Sequence, residues 1–466
     1  MRVDAVHQGR HGMKRSIGKA WLLCCAAGIT SAAEPTTSPI TSLPPIPTLV
    51  DPAVTPARHD VLPLASVPIE SVPMPAKEVD QSGATLQEMQ FLALTNHPAL
   101  REASAKVGVA QGEALQAGLP PNPFLISSSP QWAGSQSQYN WIVGQDFVTA
   151  GKLPLSRAAA EREVLKTQVE FTRTRFDVLT TVRVRFYEAA AAQRRTEVLE
   201  QLVGVTLQSR DVGKKLLEAG ETNRADAMLL DIEYDKASAV LQNNEATLAA
   251  ARKQLAAVVG LPAIDIGALQ FDFTTPLPEY EHEALRLGVV DRNALAQAAA
   301  VEIQRTQWAL RRASVEPWPN VQLQAGYQYS VEGDNNDQGF GQVMMSVPLW
   351  NRNQGGIRAA RAETVRAMAG LQRTETELSQ QAAEALGRYA AASIRAEVYE
   401  KQILPKAREV FRVNRSLFEQ GQTDFLRLLQ SQRTLIESDL GYIDAQEARW
   451  TAAAEISGLL QLEQFP

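Results

Sequence analysis

Cysteine is almost absent from this 466-residue chain. Its two thiols, Cys24 and Cys25, stand side by side near the N-terminus, so neither a disulfide framework nor a thiolate-held metal can be built further along. Histidine is nearly as scarce. His7, His11, His59, His97 and His282 are scattered singly, and no HExxH, CxxC, nucleophile elbow or phosphate-binding loop occurs. The expectation is no enzyme, no metal centre and no cofactor. Charge of a single sign is missing as well: the formal net charge is -6, with 21% charged residues of both signs interspersed. Without a basic stripe carrying interleaved aromatics, a nucleic-acid partner is not expected. No segment past the N-terminal region offers 18 or more consecutive apolar residues, which argues against an inner-membrane helical protein. Aromatics make up only 6% of the chain. They crowd into two short windows, one around Trp132, Tyr139, Trp141 and Phe147, the other around Trp318, Tyr327, Tyr329, Phe340 and Trp350.

What is present begins with a secretory layout. Lys14, Arg15 and Lys19 precede the apolar run "AWLLCCAAGIT" and the small residues of "SAAE", the three-part pattern of a signal peptide over residues 1–33, cut after Ala33. Met13 is an alternative start. Lipidation of Cys24 or Cys25 is disfavoured, because Leu23 or Cys24 would then stand where lipoprotein signals carry a small residue. Residues 34–83 are rich in Pro, Thr, Ser and Val, a composition that buries no core and reads as an extended tether.

From residue 84 the pattern becomes helical. Thr85 with Glu88 three residues on forms a capping-box signature, and a second helix runs from about Pro98 to Ala117, stopped by "GLPPNP". Two strand-like runs follow, "FLISSSPQW" and "YNWIVGQDFV". Between Pro154 and Pro262 there is no proline. There Leu165, Val169, Phe176, Leu179 and Phe186 step by multiples of three and four, the coiled-coil spacing. A continuous helix from Leu155 to Leu217 would be roughly 95 Å long, more than any compact domain needs. The turn at Gly220 returns the chain along a second helix to Gly260.

The order then repeats. "NVQLQAGYQYSV" and "GFGQVMMSVPLW" answer the first strand pair, and "LFEQGQTD" answers "LLEAGETN". Arg157 pairs with Arg358, Gly220 with Gly421 and Thr222 with Thr423 at a constant offset. The expected organisation is a first structural repeat over 84–262, an inter-repeat linker over 263–283 and a second repeat over 284–466. In "NVQLQAGYQYSV" the residues Val321, Leu323, Ala325, Tyr327, Tyr329 and Val331 fall on one face and Gln322, Gln324, Gln328 and Ser330 on the other. Four such strands are long enough to cross a bilayer as part of a barrel but too few to close one, and open edges in lipid leave backbone groups unpaired. The strands must pair with copies of the same chain, or lie outside a membrane as a half-buried sheet on a periplasmic coiled-coil structural protein without channel activity.

The motifs "AGLPPNPFL", "FVTAGK", "LLEAGETN", "ILPKAREVF" and "LFEQGQTDFLRLLQSQRTL", in this duplicated order, resemble the TolC family of outer-membrane efflux channels over about residues 84–463. The tracts "NHPAL", "AGLPPNP" and "QDFVTAGKLPLSRAAAE" are most similar to its CzcC-like branch, which works with heavy-metal pumps. The resemblance implies a mainly α chain with a small membrane β part. It implies a homotrimer closing a 12-stranded barrel on a helical tunnel, an exit duct in the outer membrane extending into the periplasm. The implied partners are a periplasmic adaptor protein and an inner-membrane resistance-nodulation-division pump.

On that resemblance the helix-pair turns form the periplasmic mouth. Asp424 occupies the place where acidic side chains narrow the pore, and Arg427 stands where some members carry a second Asp. Glu221 and Asp226 are the corresponding candidates in the first repeat. Gly220, Thr222, Gly421 and Thr423 shape the tips that an adaptor grips, and cap chemistry explains the same residues equally. Trp132, Trp141, Trp318 and Trp350 are expected at the membrane interfaces. Met344 and Met345 read as packing residues. Pro405, without a counterpart in the first repeat, should locally break the hydrogen-bond ladder of its helix and bend it.

Overall fold

The computed structural model describes residues 83–131, 137–220, 222–330, 338–420, 422–423 and 425–465. The signal sequence with both cysteines, the tether, Trp132, Glu221, Gly421 and Asp424 lie outside the described residues. In chain order the elements are α1 (Leu86–Asn96), α2 (Pro98–Gly118), β1 (Phe124–Gln131), β2 (Gln138–Phe147), α3 (Lys152–Glu218) and α4 (Arg224–Val259). Then follow α5 (His282–Arg292), α6 (Ala294–Ser314), β3 (Val321–Ser330), β4 (Gln338–Met345), α7 (Gln354–Val398), a π-helical turn (Tyr399–Ile403), α8 (Leu404–Glu419) and α9 (Phe425–Leu459). Helices of 11 and 21 residues precede each hairpin, and helices of 36 and 35 residues end each half.

Local chemistry sets these boundaries. Thr85 and Glu88 close a reciprocal capping box on α1, with Oγ1 accepting from the Glu88 amide and the Glu88 carboxylate accepting from the Thr85 amide. His97 caps α2 through Nδ1, which accepts from the Ala99 amide at 3.2 Å. Asn293 does the same for α6, accepting from Leu295 at 2.9 Å while its own amide group donates to the Leu459 carbonyl. The proline-free stretch delivers one unbroken helix of 67 residues, α3, about 100 Å long at 1.5 Å per residue.

The core lies where α1, α3, α7 and α9 meet the linker between the halves. Ala189, Ala190, Ala191 and Ala192 of α3 and Ala452, Ala453 and Ala454 of α9 are all buried; side chains this small let the two helices approach closely. Above them Tyr187, Trp450, Phe271 and Phe273 form a ring cluster with centroids about 5 Å apart. Trp450 Nε1 donates to the Phe273 carbonyl. Segment 263–283 is therefore not a slack connection: it carries two of the cluster's four rings, and Leu269 bridges to Ala84 as a short parallel pair. Arg183, fully buried, donates to Ser457 Oγ and to the carbonyls of Leu462 and Glu463, pinning the C-terminal segment over this core.

Pro405 acts as expected on the ladder, in a specific form. The long helix of the second half continues through it, but the turn Tyr399–Ile403 is π-helical, with the Leu404 amide bonded to the Tyr399 carbonyl. A proline cannot donate, and its ring crowds the carbonyl four residues back. Widening one turn by a residue removes both conflicts without ending the helix.

Candidate functional site

The four strands form one antiparallel sheet in the order β1-β2-β3-β4. Register fixes its faces. Tyr139 lies opposite Tyr329, Trp141 opposite Tyr327, Val143 opposite Ala325 and Phe147 opposite Val321, so these side chains share one face, with Leu125 of β1 and Val343 and Met345 of β4. Most of that face is exposed in the single chain. The opposite face presents Gln138, Asn140, Asp146, Gln322, Gln324, Gln328 and Gln342. Phe124 and Phe340 also stand there, each directly across from a glycine. A Cβ on Gly144 would sit 2.2 Å from the Phe124 ring, and one on Gly326 would sit 2.5 Å from that of Phe340. Each ring thus occupies the space over a neighbouring strand where a glycine leaves no side chain to oppose it.

The apolar face carries aromatics at both ends. Tyr139, Trp141, Tyr327 and Tyr329 lie toward the hairpin turns, and Phe147, with Trp318 and Trp350 just beyond the strands, marks the helix end. Trp141, Trp318 and Trp350 are all exposed, the last at 87%. Among the described residues neither outer edge of the sheet, β1 or β4, has a further strand beside it, and every residue of β4 is exposed.

Where sheet becomes helix, the motif "FVTAGK" builds a junction whose role sequence reasoning missed. Ala150 and Gly151 both adopt left-handed backbone (φ 57° and 66°) to turn the chain from β2 into α3. Thr149 Oγ1 then donates to the Pro319 carbonyl at 2.5 Å, and Lys152 Nζ donates to the Trp318 carbonyl at 2.7 Å and to Asn320 Oδ1 at 3.0 Å. Lys152 is only 3% exposed. One strand-to-helix turn of the first half is thereby fastened to the helix-to-strand turn of the second. A lysine kept among apolar neighbours immediately after a glycine was the available signal.

The helix tips are less complete. Gly220 takes the left-handed conformation (φ 74°) that ends α3. Asn223 caps α4, its Oδ1 accepting from the Asp226 amide and its Nδ2 donating to the Asp226 carboxylate at 2.7 Å, while Thr222 Oγ1 reaches the same carboxylate at 3.5 Å. Asp226 is thus engaged in a reciprocal cap. At the second tip Thr423 is half-buried and Arg427 is exposed in the first turn of α9.

Ion pairs join the two halves along the helices. Arg195 of α3 holds Asp444 at 2.7 Å and Glu447, both on α9, and Arg433 of α9 lies 4.0 Å from Glu233 of α4. Burial pushes the Glu447 and Asp439 carboxyls above the usual range, against the pull of Arg195 and of Arg408 and Arg194 respectively. Among the described residues no group of His, Asp and Glu is placed to hold a metal ion, and no helix is long and apolar enough to cross a membrane.

Residues 289–460 match the model of the family described as outer membrane efflux protein. The cobalt-zinc-cadmium resistance protein CzcC of Cupriavidus metallidurans is 22% identical over 376 residues, spanning 81% of this chain and 90% of that protein. The nickel-cobalt-cadmium resistance protein NccC of Alcaligenes xylosoxydans xylosoxydans is 25% identical over 316 residues, 65% of this chain and 69% of that protein. Among solved structures, CusC superposes with a TM-score of 0.68 at 16% identity, covering 85% of this chain and 98% of that one. Sheet, helices and matches together liken the chain to outer-membrane efflux proteins, with the family match carried by its second half and the fold shared with CusC. The resemblance to the TolC family is borne out, and metal-resistance proteins of the CzcC kind are among the relatives.

Proposed function

We propose that three copies of this chain close a 12-stranded barrel in the outer membrane and a helical tunnel below it. The assembly is a passive exit duct for solutes, heavy-metal cations among them, delivered by a resistance-nodulation-division pump through a periplasmic adaptor. The observation that carries the reading is an asymmetry between the two halves. Among the described residues helix α6 is flanked by both α3 and α7, whereas α2, its counterpart of equal length, packs mainly on α3. A second copy supplying its α7 to the open side of α2 gives every short helix two neighbours. The same head-to-tail step brings an open β4 edge to an open β1 edge. A rotation that closes after three steps leaves no unpaired strand in lipid.

In this reading the apolar sheet face meets lipid and the glutamine face lines the lumen. Asp424, with Arg427, Glu221 and Asp226, surrounds the periplasmic mouth, and the tips at Gly220, Thr222, Gly421 and Thr423 contact the adaptor. Opening slides one helix pair against the other, remaking the Arg433–Glu233 and Arg195–Asp444 contacts. The branch relatives' names support metal cations as cargo; the chain itself offers them only weak oxygen donors, so selection of one metal over another falls to the pump.

Purification from the outer-membrane fraction and recording in a planar bilayer test this. The expected result is a detergent-resistant trimer of low conductance that rises when Asp424→Ala is introduced. Trimers that conduct equally with and without the change would move the gate elsewhere. Folded protein that neither fractionates with the outer membrane nor inserts would favour a periplasmic structural role.

A further inference from the structure

Asp146 is the one charged side chain among the four described strands, which otherwise carry neither lysine, arginine nor glutamate. It lies on the glutamine face, opposite Gln322, one rung before the sheet ends at Phe147 and Val321. Two hydrogen bonds in series hold its side chain along that face: Gln324 Nε2 donates to Gln322 Oε1 at 3.0 Å, and Gln322 Nε2 donates to Asp146 Oδ1 at 2.7 Å. The nearest lysine in sequence, Lys152, is enclosed, its ammonium bonded to Trp318 and Asn320 with the Glu316 carboxylate 3.9 Å away. Arg352, the exposed cation that follows β4, stands beyond the sheet, past Trp350. Among the described strands a negative charge is therefore set without an opposing one on the polar face, at the level where sheet gives way to helix.

We infer that Asp146 is a specificity-determining residue of the conduit, enriching divalent and other cations over anions at the base of the barrel. The inference rests on the trimeric channel reading, which makes the glutamine face a lumen and places three Asp146 carboxylates at one height. Strand spacing and tilt put such side chains roughly 8 Å from the axis of a 12-stranded barrel. Three carboxylates at that distance, screened by about 0.1 M salt, enrich a divalent cation on the axis by about tenfold and a monovalent one by about threefold. At 1 M salt the screening length falls to about 3 Å and the enrichment all but disappears. The effect is one of local concentration, without a coordination site: no oxygen on this face is close enough to its symmetry mates to strip a cation of water.

Reversal potentials across a tenfold magnesium chloride gradient, with the higher side at about 0.03 M so that the ionic strength stays near 0.1 M, test it on the full-length trimer. Wild type should favour magnesium over chloride. Asp146→Asn, which keeps the shape and an oxygen to accept from Gln322, should cut that preference several-fold. The two should converge at 1 M. Conducting Asp146→Asn trimers with unchanged selectivity overturn the inference and leave the channel standing. Wild-type protein that inserts no conducting trimer overturns the channel reading and the inference together.

Discussion

Glycine at two positions of α9 illustrates how one added carbon can matter or not. A Cβ at Gly458 would stand 2.1 Å from Thr180 Oγ1 and 3.0 Å from Thr180 Cβ. Thr180 is β-branched, and its hydroxyl is tied to the Phe176 carbonyl at 2.8 Å, so it has no free direction to yield. Gly441 faces the ring end of Tyr399, with the hydroxyl at 2.6 Å, and that end of a long side chain can swing aside. Alanine gains about 1 kcal/mol over glycine in a helix interior, while overpacking costs about 1–3 kcal/mol where neighbours cannot move. Gly458→Ala should therefore destabilise the helical body by about 1 kcal/mol net and Gly441→Ala should be close to neutral or slightly stabilising. Thermal melts of the two variants beside wild type read the difference, and Thr180→Ala should restore most of the first loss. Neither position announced itself in the sequence, because helix periodicity says which face is buried but not which backbone atoms come within a methyl of it.

Between elements, the α3–α9 clasp gives a pH dependence of definite sign. Glu447 is raised chiefly by burial, with Glu188 and Asp444 adding to the rise and Arg195 opposing it. A carboxyl whose folded pKa exceeds its unfolded value binds a proton more tightly in the folded chain, so its contribution favours folding on the acid side. That contribution is lost as pH rises from the ordinary value of 4.5 through the higher folded one. Glu447→Gln should remove this part of the decline. Its melting temperature should fall less than that of wild type between pH 4.5 and 7, and an identical decline in both would show that the pairing with Arg195 dominates instead. Much at this scale was legible. The uninterrupted α3, the strand pairs and the cap at Thr85 follow from proline placement, alternation and hydroxyl chemistry that act within a few residues. The linker's two aromatic rings and the Lys152 junction were not legible, since both act on partners more than 150 residues away.

For the whole molecule, the open side of α2 makes a prediction that needs no knowledge of cargo. Val109 on α2 and Val365 on α7 are both well exposed, each about ten residues, roughly 15 Å, from the sheet end of its helix. Leu115 lies exposed on the same helix as Val109. Val109→Glu combined with Leu115→Glu should leave helix content intact while abolishing the trimer, as read by light scattering in detergent; a trimer of normal mass would mean that α2 faces solvent in the assembly. The candidate mouth was legible only through resemblance, because the charges at a helix tip look alike whether they cap, gate or dock. The π-helical turn at Tyr399–Ile403 has a reach of the same order. One residue beyond the α-helical count turns everything after it by about 100° around the helix axis. Position 400 thus acts as a phase adjuster for α8 and the tip it carries, and the compass bearing of that tip is decided some 20 residues upstream, by a proline that never touches it.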